Sequence, residues 1–212
     1  MGYTNYYSTN NLSKENWETL VDRVKYLLNN LPTGIENSAG GDLFDGHVLT
    51  GCHSRKNPTV NKSLILFNGG LECTAEGYTV KREKDGEGYW ISVVYKPDGT
   101  RLLDSESVDF KEFDEHNIED LSHETFVLKR TCKEFCKTAR KPYDVIVKAV
   151  LLLGVSLFPE NFKVSSDGDY DDWHGAEKLL QDVFGMGKLT YSMPNEKYPD
   201  HLDTGFISQR DK

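Results

Sequence analysis

His123–Phe158 reads HETFVLKRTCKEFCKTARKPYDVIVKAVLLLGVSLF, and how this stretch folds decides the architecture of the chain. It joins the densest block of positive charge to the most apolar run, with Pro142 at the junction. From Lys129 to Lys141 there are six basic residues (Lys129, Arg130, Lys133, Lys137, Arg140 and Lys141) against one acid, Glu134, a local charge of +5. The chain as a whole is −9, so everything outside the block carries −14. A cationic block in an acidic chain points to an anionic ligand or to pairing with the surplus carboxylates.

Two local readings compete before Pro142. Leu128, Cys132, Phe135 and Ala139 recur at helical spacing with the basic residues opposite, which describes an amphipathic helix over 126–140. Thr125-Phe126-Val127-Leu128 also reads as a short strand followed by a turn, because β-branched and aromatic side chains suit a pleated surface. The strand reading is the favoured one. Pro142 suits the first position of a new helix, and Asp144, in its first turn, complements the dipole. Val145–Leu153 is apolar on nearly every side, so that helix is predicted to be central and buried. Its exposed N–H groups, with Lys137, Arg140 and Lys141 just before them, predict a site for phosphate or carboxylate. Arginine adds a planar fork that holds phosphate through two bonds.

Outward from this centre, Gly2–Tyr7 reads as a first strand. Ser13 reads as the N-cap of a helix with the stripe Trp17, Leu20, Val21, Val24, Leu27, Leu28 and Leu31, ended by Pro32 and Gly34. Residues 33–62 show little periodicity and read as a long loop containing Gly40-Gly41, His47 and His53, without the lysine and spacing of a P-loop. Leu64–Phe67, Asn68-Gly69 and Leu71–Thr74 read as a hairpin. Tyr89–Tyr95, turned by Pro97-Asp98-Gly99 into Arg101–Leu103, extends a meander. The acidic run 104–120 reads as an exposed connection. After Pro159, Phe162–Ser165 reads as a strand, and Trp173–Phe184 as an amphipathic helix closed by Gly185.

The prediction is an α+β protein in which an antiparallel sheet of hairpins and a meander packs on a central buried helix and two amphipathic helices. Residues 1–192 form one domain, with 193–212 as a loosely packed tail. A hydrophobic fraction of 37% in 212 residues supports one core. No apolar run approaches a bilayer span and no export signal opens the chain, so a cytoplasmic protein without membrane contact is expected. Met1-Gly2 lacks the hydroxyl that myristoylation requires, since Tyr6 stands there. Cys52, Cys73, Cys132 and Cys136 are too scattered for a disulfide framework and are expected as thiols. Asp167, Asp169 and Asp171 follow the first half of a calcium loop, but Asp172 and Lys178 replace its glycine and glutamate, so no metal and no cofactor is assigned.

Several blocks resemble one family: Met1-Gly2-Tyr3-Thr4, Phe67-Asn68-Gly69, Glu124-Thr125-Phe126, Cys136–Asp144 and Ser165-Ser166-Asp167-Gly168. The chain is similar to small, functionally uncharacterised proteins of bacteriophages and some bacteria that open with MGYT and carry a CKTARKPYD block. Asn5-Tyr6-Tyr7 departs from the histidine and tryptophan of that opening, so no role for an opening histidine carries over. The family supplies no established activity to transfer; the resemblance implies a phage or prophage origin with the host cytoplasm as location, and small cytosolic phage proteins often counter host defences.

The leading expectation is a binding protein that captures a phosphorylated or nucleotide-like anion and sequesters a host immune signal. Lys137, Arg140 and Lys141 would hold phosphate, Tyr3, Tyr143 or Trp173 would stack on a base, and Thr138, Asn68 and Asp167 would add directional hydrogen bonds. No catalytic residue is assigned. One alternative is an enzyme cleaving a similar ligand, a phosphodiesterase or glycosidic hydrolase, using His123 and Glu124 or the Asp167–Asp172 carboxylates with a divalent ion. The other is a protein-interaction inhibitor of a host defence protein. Nucleic acid as a partner is disfavoured by the net charge, and a homo-oligomer is left open because no heptad run marks a coiled coil.

Overall fold

The computed structural model describes residues 3–32, 34–35, 49–51, 57–73, 75–104, 118–168, 171–185, 190–192 and 203–205. The fold is α+β, with three α-helices and a set of small antiparallel sheets among the described residues.

The centre is helix α2 (Asp144–Leu157), in which every residue from Asp144 to Val155 is buried. A helix apolar on all sides must be covered on all sides, and the covering elements come from distant parts of the chain. Helix α1 (Lys14–Asn29) turns Trp17, Leu20, Val21, Val24 and Leu27 inward, and its Ser13 cap accepts from the Asn16 N–H. Helix α3 (His174–Phe184) buries Ala176, Leu179 and Leu180 and closes at Gly185, whose φ of 63° is the left-handed geometry that favours glycine. It follows a 3-10 turn at Asp171–Trp173.

The principal sheet has strand β1 (Thr4–Thr9) in the middle, between β10 (Cys132–Lys137) and β11 (Phe162–Ser166). Tyr6 stands opposite Phe135 on one side and Ser165 on the other; Ser8 stands opposite Lys133 and Lys163. Because alternate residues face alternate sides, Asn5, Tyr7, Cys136, Phe162 and Val164 go to the core while Tyr6, Phe135 and Lys163 face out. A second sheet joins β2 (Thr59–Val60), β3 (Ile65–Phe67) and β9 (Phe126–Leu128), and β4 (Leu71–Cys73) pairs with β8 (Ile118–Asp120). Of the predicted meander, Tyr89–Tyr95 turning into Arg101–Leu103 is present as β6 (Trp90–Tyr95) and β7 (Arg101–Asp104), but the strand on the other side of β6 is β5 (Thr79–Lys84), which the sequence reading did not assign, and not the 64–74 segment.

The strand reading of Thr125–Leu128 holds, and Cys132–Lys137 is a strand as well, so 126–140 is not a helix. The hairpin expected at Asn68-Gly69 is not formed. Strand β3 pairs with β2 and β9, and β4 pairs with β8, so the two segments part at this dipeptide. Asn68 instead spends its side chain on the neighbouring loop, accepting from the Gly69 and His123 N–H groups and donating to the His123 carbonyl at 2.8 Å. A Cβ on Gly69 would lie 2.0 Å from the Leu121 carbonyl oxygen, so glycine is there for a close backbone approach and not for a turn.

Residues 33, 36–48 and 52–56 of the expected long loop, with Gly40-Gly41, His47 and His53, lie outside the described residues, and so does most of the acidic connection. The described part of that stretch is not all loop, since Thr59–Val60 is β2 and Thr50 bridges to Asn68. Of the stretch 193–212 only β13 (Asp203–Gly205) is described, paired with β12 (Thr190–Ser192).

Candidate functional site

The basic block divides into two parts. Arg140 and Lys141 are held by carboxylates distant in sequence: Arg140 Nη2 lies 3.3 Å from Asp172 Oδ1 and Oδ2, and Lys141 Nζ lies 2.8 Å from Glu119 Oε1. Among the described residues, Lys129, Arg130, Lys133 and Lys137 make no ion pair, and neither does Lys163 on β11.

Arg140 belongs to a polar network beneath the start of α2. Asp144 is fully buried and accepts from Asn5 Nδ2 at 2.8 Å and Thr138 Oγ1 at 2.5 Å, while Lys148 Nζ stands 2.5 Å from its other oxygen. Lys148 also donates to the Asp172 carbonyl at 2.7 Å. Its ammonium lies 4.4 Å from the centre of the Tyr3 ring, and the Arg140 guanidinium lies 5.0 Å from the same ring. Tyr3 donates to Ser166 Oγ at 3.0 Å, which also accepts from Trp173 Nε1 at 3.3 Å. The turn that carries the chain from β10 into this network places Ala139 at φ 52° and Arg140 at φ 57°. Two successive left-handed non-glycine residues are strained. Thr138 on Asp144 and Arg140 on Asp172 hold them in place.

The network alters the picture of the helix start. The Asp144 N–H is taken by the Lys141 carbonyl at 2.8 Å, and the Asp144 carboxylate is itself the anion beside the first turn. Tyr143 and Trp173 are each 1% exposed, with Tyr143 Oη on the Glu124 carbonyl at 2.7 Å, so neither offers a face to a base. Tyr3 is buried between two cations. Burial pushes the Tyr3 and Tyr143 hydroxyls far above the usual phenol range, which keeps both protonated. Asn68 and Thr138 are interior and spent on structural bonds. His123 Nδ1 and Glu124 Oε2 both reach the backbone of Lys137, at 2.8 Å each, and pin the end of β10.

Of the expected site residues, Lys137 and Asp167 are exposed and Arg140 keeps 42% of its side chain in solvent while paired with Asp172; Lys137 and Asp167 border the outer face of the β10-β1-β11 sheet. That face carries a feature the sequence reading missed. Four large hydrophobic side chains are exposed among the described residues, and two of them, Tyr6 at 43% and Phe135 at 52%, are cross-strand partners with ring centres 6.5 Å apart. Around them stand Lys133 and Lys137 on β10 and Lys163 on β11, with Lys137 Nζ 5.9 Å from the Phe135 ring. Tyr6 donates to Asp167 Oδ1 at 3.1 Å. The signal was present in Lys133-Glu134-Phe135-Cys136-Lys137, because in a strand such alternation puts both lysines and the phenylalanine on one side.

The two described thiols, Cys132 and Cys136, are free. Burial, reinforced by the Glu124 carboxylate, pushes Cys136 up to about 12. Native protein at pH 8 is therefore expected to leave Cys136 unlabelled by iodoacetamide and to label it on unfolding. Peptide mapping showing rapid native labelling of Cys136 would contradict that burial. No three His, Cys, Asp or Glu side chains gather as a metal site among the described residues; Asp169 lies outside them. No helix among them is long and apolar enough to cross a membrane.

No family model, curated protein or solved structure matches the chain.

Proposed function

We propose that the protein binds a nucleotide-like anion on the outer face of the β10-β1-β11 sheet, with the base over Tyr6 and Phe135 and phosphate held by the surrounding lysines. The observation that carries this reading is the adjacency of two solvent-facing aromatic rings and three lysines that make no ion pair among the described residues, in a chain of net charge −9. Aromatic platforms framed by cations recognise nucleotides because every base has a π-face and every phosphate a charge; each stacked base contributes about 1–3 kcal/mol. The contacts call for binding alone. A protein of this kind acts by holding its ligand, and in a phage setting the fitting role is sequestration of a nucleotide-like immune signal of the host.

The test is retention. Purified protein is incubated with a nucleotide panel and with cell extract, washed, denatured, and the released small molecules are identified by mass spectrometry. An intact nucleotide is expected; conversion to a product would replace the binder with an enzyme. Tyr6→Ala combined with Phe135→Ala should weaken retention by at least about tenfold. Its melting temperature should change little, because both rings are on the surface. Undiminished retention in the folded double variant would overturn the proposed platform.

A further inference from the structure

The outer face is not symmetrical along its strands, and this asymmetry bears on the class of ligand. Register divides it into three cross-strand rows. The central row is Phe135, Tyr6 and Ser165. One neighbouring row is Lys133, Ser8 and Lys163. The other is Lys137 and Thr4, with Asp167 beside Thr4 through its N–H on the Thr4 carbonyl at 3.0 Å. Rows two residues apart along a strand are separated by about 7 Å, and neighbouring strands by about 4.8 Å.

Charge is uneven between the two ends. At the Ser8 end, Lys133 and Lys163 flank one serine, their Cα atoms about 10 Å apart across two strand spacings, close enough for both ammonium groups to meet over it. The turn leading into β10 adds Lys129 and Arg130 at the same end, anchored there because Thr9 Oγ1 donates to the Lys129 carbonyl at 3.0 Å and accepts from the Cys132 N–H at 2.9 Å. None of these four cations makes an ion pair among the described residues. Glu160 precedes β11 at this end, and Glu134 falls on the opposite face by strand alternation, so the end stays strongly positive. At the Asp167 end, Lys137 leans over Phe135 and shares its row with a carboxylate, and Arg140, over the Tyr3 ring, is already paired with Asp172.

We infer that the face takes a nucleoside polyphosphate in one orientation, with the polyphosphate at the Lys133–Ser8–Lys163 row, the base on Tyr6 and Phe135, and sugar hydroxyls or base donors toward Asp167. This rests on the proposed platform and adds to it the ligand's class and direction. A nucleotide within a strand has phosphate on both sides and would bring one of them against Asp167. A nucleoside polyphosphate concentrates its charge where the four cations are and presents donors where the carboxylate is.

The experiment is isothermal titration at low salt with four probes: a nucleoside 5′-monophosphate, the matching 5′-triphosphate, inorganic triphosphate and a six-nucleotide single strand. The triphosphate nucleotide is expected to bind at least about tenfold more tightly than the monophosphate, and more tightly than inorganic triphosphate, which lacks a base to stack. Lys133→Ala with Lys163→Ala should remove most of the preference for triphosphate over monophosphate. Lys137→Ala should weaken both nucleotides to a similar degree. Equal binding of mono- and triphosphate would overturn the polyphosphate seat and leave the platform standing; tightest binding of the single strand would overturn the orientation. Failure of all four probes to bind the folded protein would remove the platform itself.

Discussion

Replacing Lys148 by methionine is expected to lower the unfolding free energy by about 3–5 kcal/mol, the range for removing one member of a buried ion pair. The side chain is 1% exposed and lies between the Asp144 carboxylate, the Asp172 carbonyl and the Tyr3 ring. Methionine preserves much of the volume but supplies no charge. Asp144 would then be a buried carboxylate with only the donors from Asn5 and Thr138. A urea titration measures the loss, and a cycle with Asp144→Asn isolates the pair. The double variant should lose less than the sum of the single losses by at least about 1 kcal/mol. If Lys148→Met falls within about 1 kcal/mol of the parent, the buried ion pair is not a main support of the polar network at the start of α2.

The second large effect is expected at Gly69. Alanine there places a methyl carbon 2.0 Å from the Leu121 carbonyl oxygen, with Tyr143 Cδ1 a further 3.1 Å neighbour. The obstacle is backbone, so no rotamer change relieves it. The Leu121 N–H is bonded to the Gly70 carbonyl at 2.8 Å, and moving Leu121 away would break the register of β4 with β8. A loss of about 3 kcal/mol is expected, at the upper end for overpacking. Gly86 serves as the control, since a Cβ there meets nothing within 4 Å; Gly86→Ala should stay within about 0.5 kcal/mol of the parent. Equal losses at the two positions would mean that the close approach at Gly69 does not carry the effect.

Gly69 also shows where sequence reading reaches its limit. Asn-Gly between two apolar runs is a strong hairpin signal because local φ preferences are local. Here the strands on either side found partners 59 and 47 positions away, as the Phe67–Phe126 and Glu72–Glu119 pairings of the sheets show. The helices were legible for the opposite reason. Trp17 to Leu27, Val145 to Leu153 and Ala176 to Leu180 carry their spacing within a few turns, and the Ser13 and Gly185 caps are one residue each.

The candidate site divides along the same line. The concentration of charge from Lys129 to Lys141 was plain in the sequence. Which of those charges remained available was not, because Asp172 and Glu119 neutralise Arg140 and Lys141 from 32 and 22 positions away. Tyr3, Tyr143 and Trp173 looked like stacking residues by type alone, whereas burial assigned them to the interior. The alternation that puts Phe135 beside Lys133 and Lys137 was in the sequence, but that Tyr6 stands next to Phe135 became visible only through the register of β1 against β10.

Strand β1 lies between two strands made much later, and the hydroxyl of Tyr3, just before it, bonds Ser166 across 163 positions. During synthesis at about 5–20 residues per second, the first strand therefore waits on the order of ten seconds or more before either neighbour exists. Until then its edges and its aromatic side chains are open to any other strand in reach. The sheet that forms the candidate ligand face is thus a late product of translation, and slowing elongation after residue 9 lengthens the interval in which the nascent chain is most prone to aggregate.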